Sequence, residues 1–122
     1  MEFQKKDAIY LQIGDLMCER ILRRDWPENE RIPSVRELAV DLEVNPNTVM
    51  RTYAYLQDQG IIYNKRGIGY FVAPDGLEAT RKLLKSAFVR TDLPHVFKML
   101  KLLDMDIDEL RSLYRSFQEN EK

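Results

Sequence analysis

A mostly α-helical chain carrying one small β-hairpin is the fold class the sequence predicts. Three observations predict it. Apolar residues recur at three- and four-residue steps through most of the 122 positions, the periodicity of helices with one buried face. Helix start signals precede these runs: Ser34 with Glu37, Asn45 with Pro46, Asp75 with Glu78, and Asp106 with Glu109. These residue types accept from the free N–H groups of a first turn, or tolerate the absence of one. The period changes in IIYNKRGIGYFVA at 61–73, where β-branched and aromatic residues surround Gly67 and Gly69, a pattern of strands around a turn.

The first helix covers residues 10–24, with Ile13, Leu16, Met17, Ile21 and Leu22 on one face. Cys18 falls on or beside that face and reads as a small hydrophobe. Pro27 and Pro33 disfavour helix at the residues before them, so the helix ends ahead of DWPENERIP. Asn29 suits a left-handed turn there. The second helix starts at Ser34 and turns Val35, Leu38, Ala39 and Leu42 inward. After a very short turn at Glu43 and Val44, Asn45 caps a third helix whose inner face is Val49, Tyr53 and Leu56, and Gly60 ends it. Two strands follow, with a tip near Lys65, Arg66 and Gly67. Helix, helix, short turn, helix, hairpin is the order of a winged helix-turn-helix, assigned to residues 1–75. PDG at 74–76 marks a boundary. Residues 76–122 read as a short all-helical dimerisation region: a helix over about 76–91, a break at Pro94, a short helix in HVFKMLKLL and a last helix capped by Asp106.

Composition bounds the function. Hydrophobic residues make up 44% and charged residues 32%, which is globular rather than disordered. A single cysteine permits neither an intramolecular disulfide nor a cysteine-based metal cluster. The opening stretch MEFQKKDAIY has no apolar signal core and no apolar run approaches membrane-spanning length, so a cytoplasmic protein without membrane contact is expected. No phosphate-loop pattern or metal-ligand spacing points to a cofactor, and none is expected. His95, the lone histidine, reads as a surface or helix-start residue.

Net charge is −1, and residues 1–75 carry ten basic against twelve acidic side chains. Bulk charge therefore argues weakly against a nucleic-acid partner. From Val44 to Pro74, however, Asp58 is the only acid against Arg51, Lys65 and Arg66. Affinity for phosphates depends on where cations sit. The third helix begins with Asn45, Asn47 and Thr48 and places Arg51 one turn on, opposite its apolar face. In a helix-turn-helix the N-terminal residues of that helix reach base edges in the major groove. Arginine suits guanine there and asparagine suits adenine.

YLQIGDLMCERI, RIPSVRELA, VNPNTVMRTYAYL, GII and RGIGYFVA, in this order and spacing, resemble the DNA-binding domain of the GntR family of bacterial transcription regulators over residues 8–74. The short helical tail resembles that of the YtrA-type subgroup. The resemblance implies DNA contacts from the PSVRE element, here Ser34 and Arg36, and from the start of the recognition helix, here Asn45 to Thr48. It also implies contacts from Arg51 within that helix and from a hairpin tip in the minor groove, here Lys65 to Gly67. Met50 stands where many members carry arginine, which offers an apolar base contact instead. Asn29 replaces a common turn glycine.

These features predict a homodimeric regulator, repressor rather than activator, on a palindromic double-stranded DNA operator. No small-molecule effector follows from them. Apolar residues of the tail assigned to dimerisation are Leu84, Phe88, Phe97, Leu100, Leu103, Leu110, Leu113, Tyr114 and Phe117. Two other classes fit the sequence less well. An enzyme of the aminotransferase-fusion kind needs a large second domain, and 47 residues follow the hairpin. A winged helix used for protein–protein contact, with Met50 and Tyr55 on its face, would show no salt-dependent binding to duplex DNA.

Overall fold

The computed structural model describes residues 8–121. Among these, six α-helices and one antiparallel hairpin follow in the order α1 (Ile9–Leu22), α2 (Val35–Leu42), α3 (Pro46–Asp58), β1 (Ile62–Lys65), β2 (Gly69–Val72), α4 (Gly76–Ala87), α5 (Leu93–Leu102) and α6 (Ile107–Asn120). A π-helical turn at Phe88–Asp92 joins α4 to α5. The mostly helical class with a small hairpin is the one the periodicity predicts. Helix α1 stops two residues early because Arg24 turns left-handed (φ 65°), and the amides of Asp25 and Trp26 close back on the Arg20 carbonyl.

Helices α2 and α3 bury the faces their spacing defines; on the expected α1 face Ile13, Met17 and Ile21 are buried, whereas Leu16 is exposed. Ile13, Met17 and Ile21 of α1, Leu38 and Ala39 of α2, and Val49, Tyr53 and Leu56 of α3 meet Ile61, Ile62 and Val72 of the hairpin region in one core. Removing each of the isoleucine, leucine, valine and methionine side chains from water is worth about 1.5–3 kcal/mol. The strands pair from Ile62↔Val72 to Lys65↔Gly69. The loop before α2 runs along the outer edge of β2, a pairing the sequence did not reveal. The Asn29 amide donates to the Val72 carbonyl, Val72 to Glu30 and Ile32 to Tyr70, with a bridge at Arg31↔Phe71. Asn29 is left-handed (φ 67°), as expected of it.

Two expectations for the chain after the hairpin are corrected. The Asp75–Glu78 capping box does not form. The first-turn amide of Leu77 donates instead to the Glu28 carboxylate at 3.3 Å, and Glu78 pairs with Arg81. The helix does not break at Pro94 but continues from Gly76 to Leu102 through the π turn. There the Leu93 amide reaches back to the Phe88 carbonyl. The wider turn places proline, which lacks an N–H, in the first turn of α5, where none is required. By its contacts the chain forms one compact unit up to Leu84 and a second from Lys85. Gly76 lets α4 start against the hairpin: a Cβ there would lie 2.7 Å from Val72 Cγ1 and 2.8 Å from the Ile61 carbonyl oxygen. Leu77, Leu83 and Leu84 then pack on the winged core.

Cys18 is buried in that core, and burial, reinforced by the negative charge of Asp15, pushes its thiol up to about 12. A thiol whose pKa is raised on folding stabilises the native state up to its unfolded value and loses that contribution as pH rises toward the folded one. The folded protein should therefore leave Cys18 unlabelled by a thiol reagent at pH 8 and expose one reactive thiol in denaturant. Rapid native labelling would show that α1 opens locally.

Candidate nucleic-acid interface

The helix-turn-helix is set by local capping. The Ser34 hydroxyl accepts from the Glu37 amide at 3.1 Å and the Glu37 carboxylate accepts from the Ser34 amide at 2.9 Å, so the predicted box is complete. The Ser34 amide foremost, then the Ser34 hydroxyl and the charge of Arg31, hold the Glu37 carboxyl below the usual carboxylate range. Their support is present at neutral pH and is lost as acid protonates it. Helix α2 ends on a left-handed Glu43 (φ 56°), whose conformation makes the turn short. Asn45 then caps α3, its Oδ1 accepting from the Asn47 amide at 2.8 Å, and Pro46 occupies the first turn.

This geometry divides α3 lengthwise. Val49, Thr52, Tyr53 and Leu56 are wholly buried. Asn45, Asn47, Met50 and Arg51 are exposed, and Thr48 is half-buried. Asn47, Thr48 and Arg51, expected to share a face, line one shallow cleft with Ala8, Ile9 and Tyr10 of the α1 start. Sequence reasoning missed Tyr10 here. The Arg51 guanidinium carbon lies 3.9 Å from the centroid of its ring.

At the hairpin tip, Arg66 and Gly67 are exposed, Gly67 is left-handed (φ 78°), and the Ile68 amide closes the turn on the Lys65 carbonyl. Lys65 is exposed, with its Nζ 4.9 Å from the Phe71 ring centroid. Ser34 is half-buried in its cap, and Arg36 projects from the first turn of α2, exposed. A further cation, Arg31, was also missed. It is exposed, and its side chain crosses the hairpin where Gly69 (φ 148°) has no Cβ; one there would sit 2.9 Å from Arg31 Nε. Both omissions are contacts between residues far apart in sequence, and local spacing gives no signal for them.

Of the tail residues, Leu84 is half-buried and packs on the winged core. Phe88, Phe97, Leu103, Leu113, Tyr114 and Phe117 are exposed, and Leu100 and Leu110 are half-buried. His95 is exposed. Among the described residues no group of three acidic, histidine or cysteine side chains could hold a metal ion, and no helix is long and apolar enough to cross a membrane.

Residues 9–72 match the model of the bacterial regulatory proteins of the gntR family. The HTH-type transcriptional regulator YhcF of Bacillus subtilis (strain 168) is 36% identical over 118 residues, covering 97% of this chain and 96% of its own. The HTH-type transcriptional repressor YtrA of the same organism is 34% identical over 98 residues, covering 80% of this chain and 69% of its own. A crystal structure of a GntR-family transcriptional regulator from Bacteroides thetaiotaomicron superposes with a TM-score of 0.76. It is 45% identical and covers 94% of this chain and all of the other. These relatives are regulators rather than enzymes.

The caps make a stability prediction that needs no DNA. Asn45→Ala should lower unfolding free energy by about 1 kcal/mol, and Asn45→Asp, which keeps the acceptor, by much less. Urea denaturation of the two variants checks this. Equal losses would mean that Asn45 stabilises α3 by something other than its cap.

Proposed function

This chain belongs to the GntR family of bacterial regulators, DNA-binding proteins that control transcription, and from that premise we propose that it is a repressor that binds a palindromic operator as a homodimer. The observation that carries the reading is the division of α3: one face wholly buried, the other presenting Asn45, Asn47, Met50 and Arg51. In this reading the first turn of α3 enters the major groove. Arg51 pairs with a guanine, Asn47 and Thr48 meet neighbouring edges, and Met50 offers an apolar contact such as a thymine methyl takes. The positive N-terminal end of the α3 dipole and the Arg36 side chain meet phosphates. Lys65, Arg66 and Gly67 form a wing that reaches the adjacent minor groove. The repressor assignment follows the similarity to YtrA. We read the short helical tail as of the same type, and the protein as cytoplasmic, where its DNA is.

Dimerisation rests on the second compact unit. No described residue from Lys85 onward is buried, and Phe97, Tyr114 and Phe117 are each more than half exposed. Apolar area of this extent marks a partner surface. A second copy related by a two-fold axis would pair two recognition helices with the two halves of a palindrome.

Selection of bound sequences from a random duplex pool tests the reading: an inverted repeat is the expected product, and unselected DNA would contradict it. On the selected site, Arg51→Ala should cost about 1–3 kcal/mol and relax preference at one position per half-site. Equal losses on specific and random DNA would reduce Arg51 to a phosphate contact. Lys65→Ala should weaken binding to all sequences and lower the salt slope by about one unit; an unchanged slope would remove the wing from the interface. Finally, Phe117→Asp with Leu113→Asp should yield a folded monomer by sedimentation and abolish cooperative filling of the two half-sites. A dimer that survives the pair would place the interface elsewhere.

A further inference from the structure

We propose that Tyr10 is a positioning residue for Arg51, so that base preference at one operator position depends on a side chain 41 positions upstream of the arginine. The inference rests on the reading of α3 as the base-contacting helix and goes beyond it, since Tyr10 lies in the first turn of α1 and outside the helix-turn-helix.

Two contacts fix Tyr10. The carbonyl of Tyr10 accepts from the Thr52 hydroxyl at 2.7 Å, and Thr52 is wholly buried. The ring meets Tyr55 edge-on, with centroids 6.2 Å apart and planes at 82°. Both partners belong to α3, so the ring keeps a fixed place relative to the helix it touches. Arg51 then lies on the ring with its guanidinium carbon 3.9 Å from the centroid. An exposed arginine otherwise samples many rotamers and must lose that freedom on docking. Stacking occupies the faces of the guanidinium and leaves its N–H edge pointing in plane. That edge is the one that pairs with guanine O6 and N7, so ring and base use different parts of the same group. Arg51 and Tyr10 line the same cleft as Asn47 and Thr48.

A ring that served only to pack α1 would affect folding and every DNA sequence alike. The test therefore reads base preference position by position on the selected operator, with affinity for random duplex and the salt slope as controls. Tyr10→Phe keeps the ring and should leave the profile unchanged. Tyr10→Leu should lower preference about two- to fivefold at the position that Arg51→Ala relaxes, the scale of an exposed cation–π contact. Random binding and salt slope should stay as they were, and the double variant should lose no more than Arg51→Ala alone. Thr52→Val loosens the backbone anchor without touching either ring or guanidinium and should relax the same position, which provides a second route if Tyr10→Leu folds poorly. An unaltered profile in both Tyr10→Leu and Thr52→Val, or a uniform loss at all positions, would overturn the inference. If Arg51→Ala itself left the profile unchanged, the reading of α3 would fail instead.

Discussion

Tyr53 is the residue on which the arrangement turns. It sits in the middle of α3, wholly buried, and its hydroxyl donates to the Pro33 carbonyl at 2.6 Å. Its ring meets Tyr70 of β2 edge-on, with centroids 4.8 Å apart. One side chain thus ties the recognition helix to the entry of α2 and to the hairpin. Burial pushes its phenol above the usual range, so it stays a donor throughout physiological pH. Losing the hydroxyl would strand a carbonyl, and losing the ring would open a core cavity of the kind that typically costs about 3–5 kcal/mol. With the inner face of α3 held so firmly, its outer face can carry residues chosen for a partner rather than for packing.

That freedom explains how an acidic chain can serve as a DNA-binding regulator. The isoelectric point is near 5.9 and the net charge −1, so long-range attraction to DNA is weak. Arg36, Arg51, Lys65 and Arg66 are exposed on the elements proposed to contact DNA, and Arg31 is exposed beside the hairpin. Arg51 rests on Tyr10 and Lys65 near Phe71. Binding in this account depends on a few placed cations, and its salt dependence should reflect those contacts rather than overall charge.

Features decided within a few residues were legible in the sequence. Ser34 with Glu37, Asn45 with its following proline, and Asp106 all cap where their spacing places them. Asn29 and Gly67 take the turn conformations their side chains favour. The apolar faces of α2 and α3 followed from periodicity, and that of α1 did so except at Leu16, which is exposed. What spacing missed involves residues distant along the chain. Glu28 meets the α4 start 49 positions later, which is why Asp75 is not needed as a cap. Leu84 belongs to the winged core because Gly76 lets α4 begin against the hairpin. Pro94 reads as a breaker by composition, and the π turn ahead of it absorbs the missing N–H. At the candidate interface the polar start of α3 was visible, whereas the seat of Arg51 on Tyr10 depends on how α1 packs.

The central claim is that two copies of α3 enter the major groove of one duplex while the hairpins reach its minor groove. Methylation protection on the selected operator tests it directly, because dimethyl sulfate reports guanine N7 in the major groove and adenine N3 in the minor groove. The account predicts protected guanine N7 positions in two clusters about one helical turn apart, with adenine N3 protection confined to positions beside each cluster. Protection of adenine N3 alone, or a single unrepeated cluster of guanines, would contradict it.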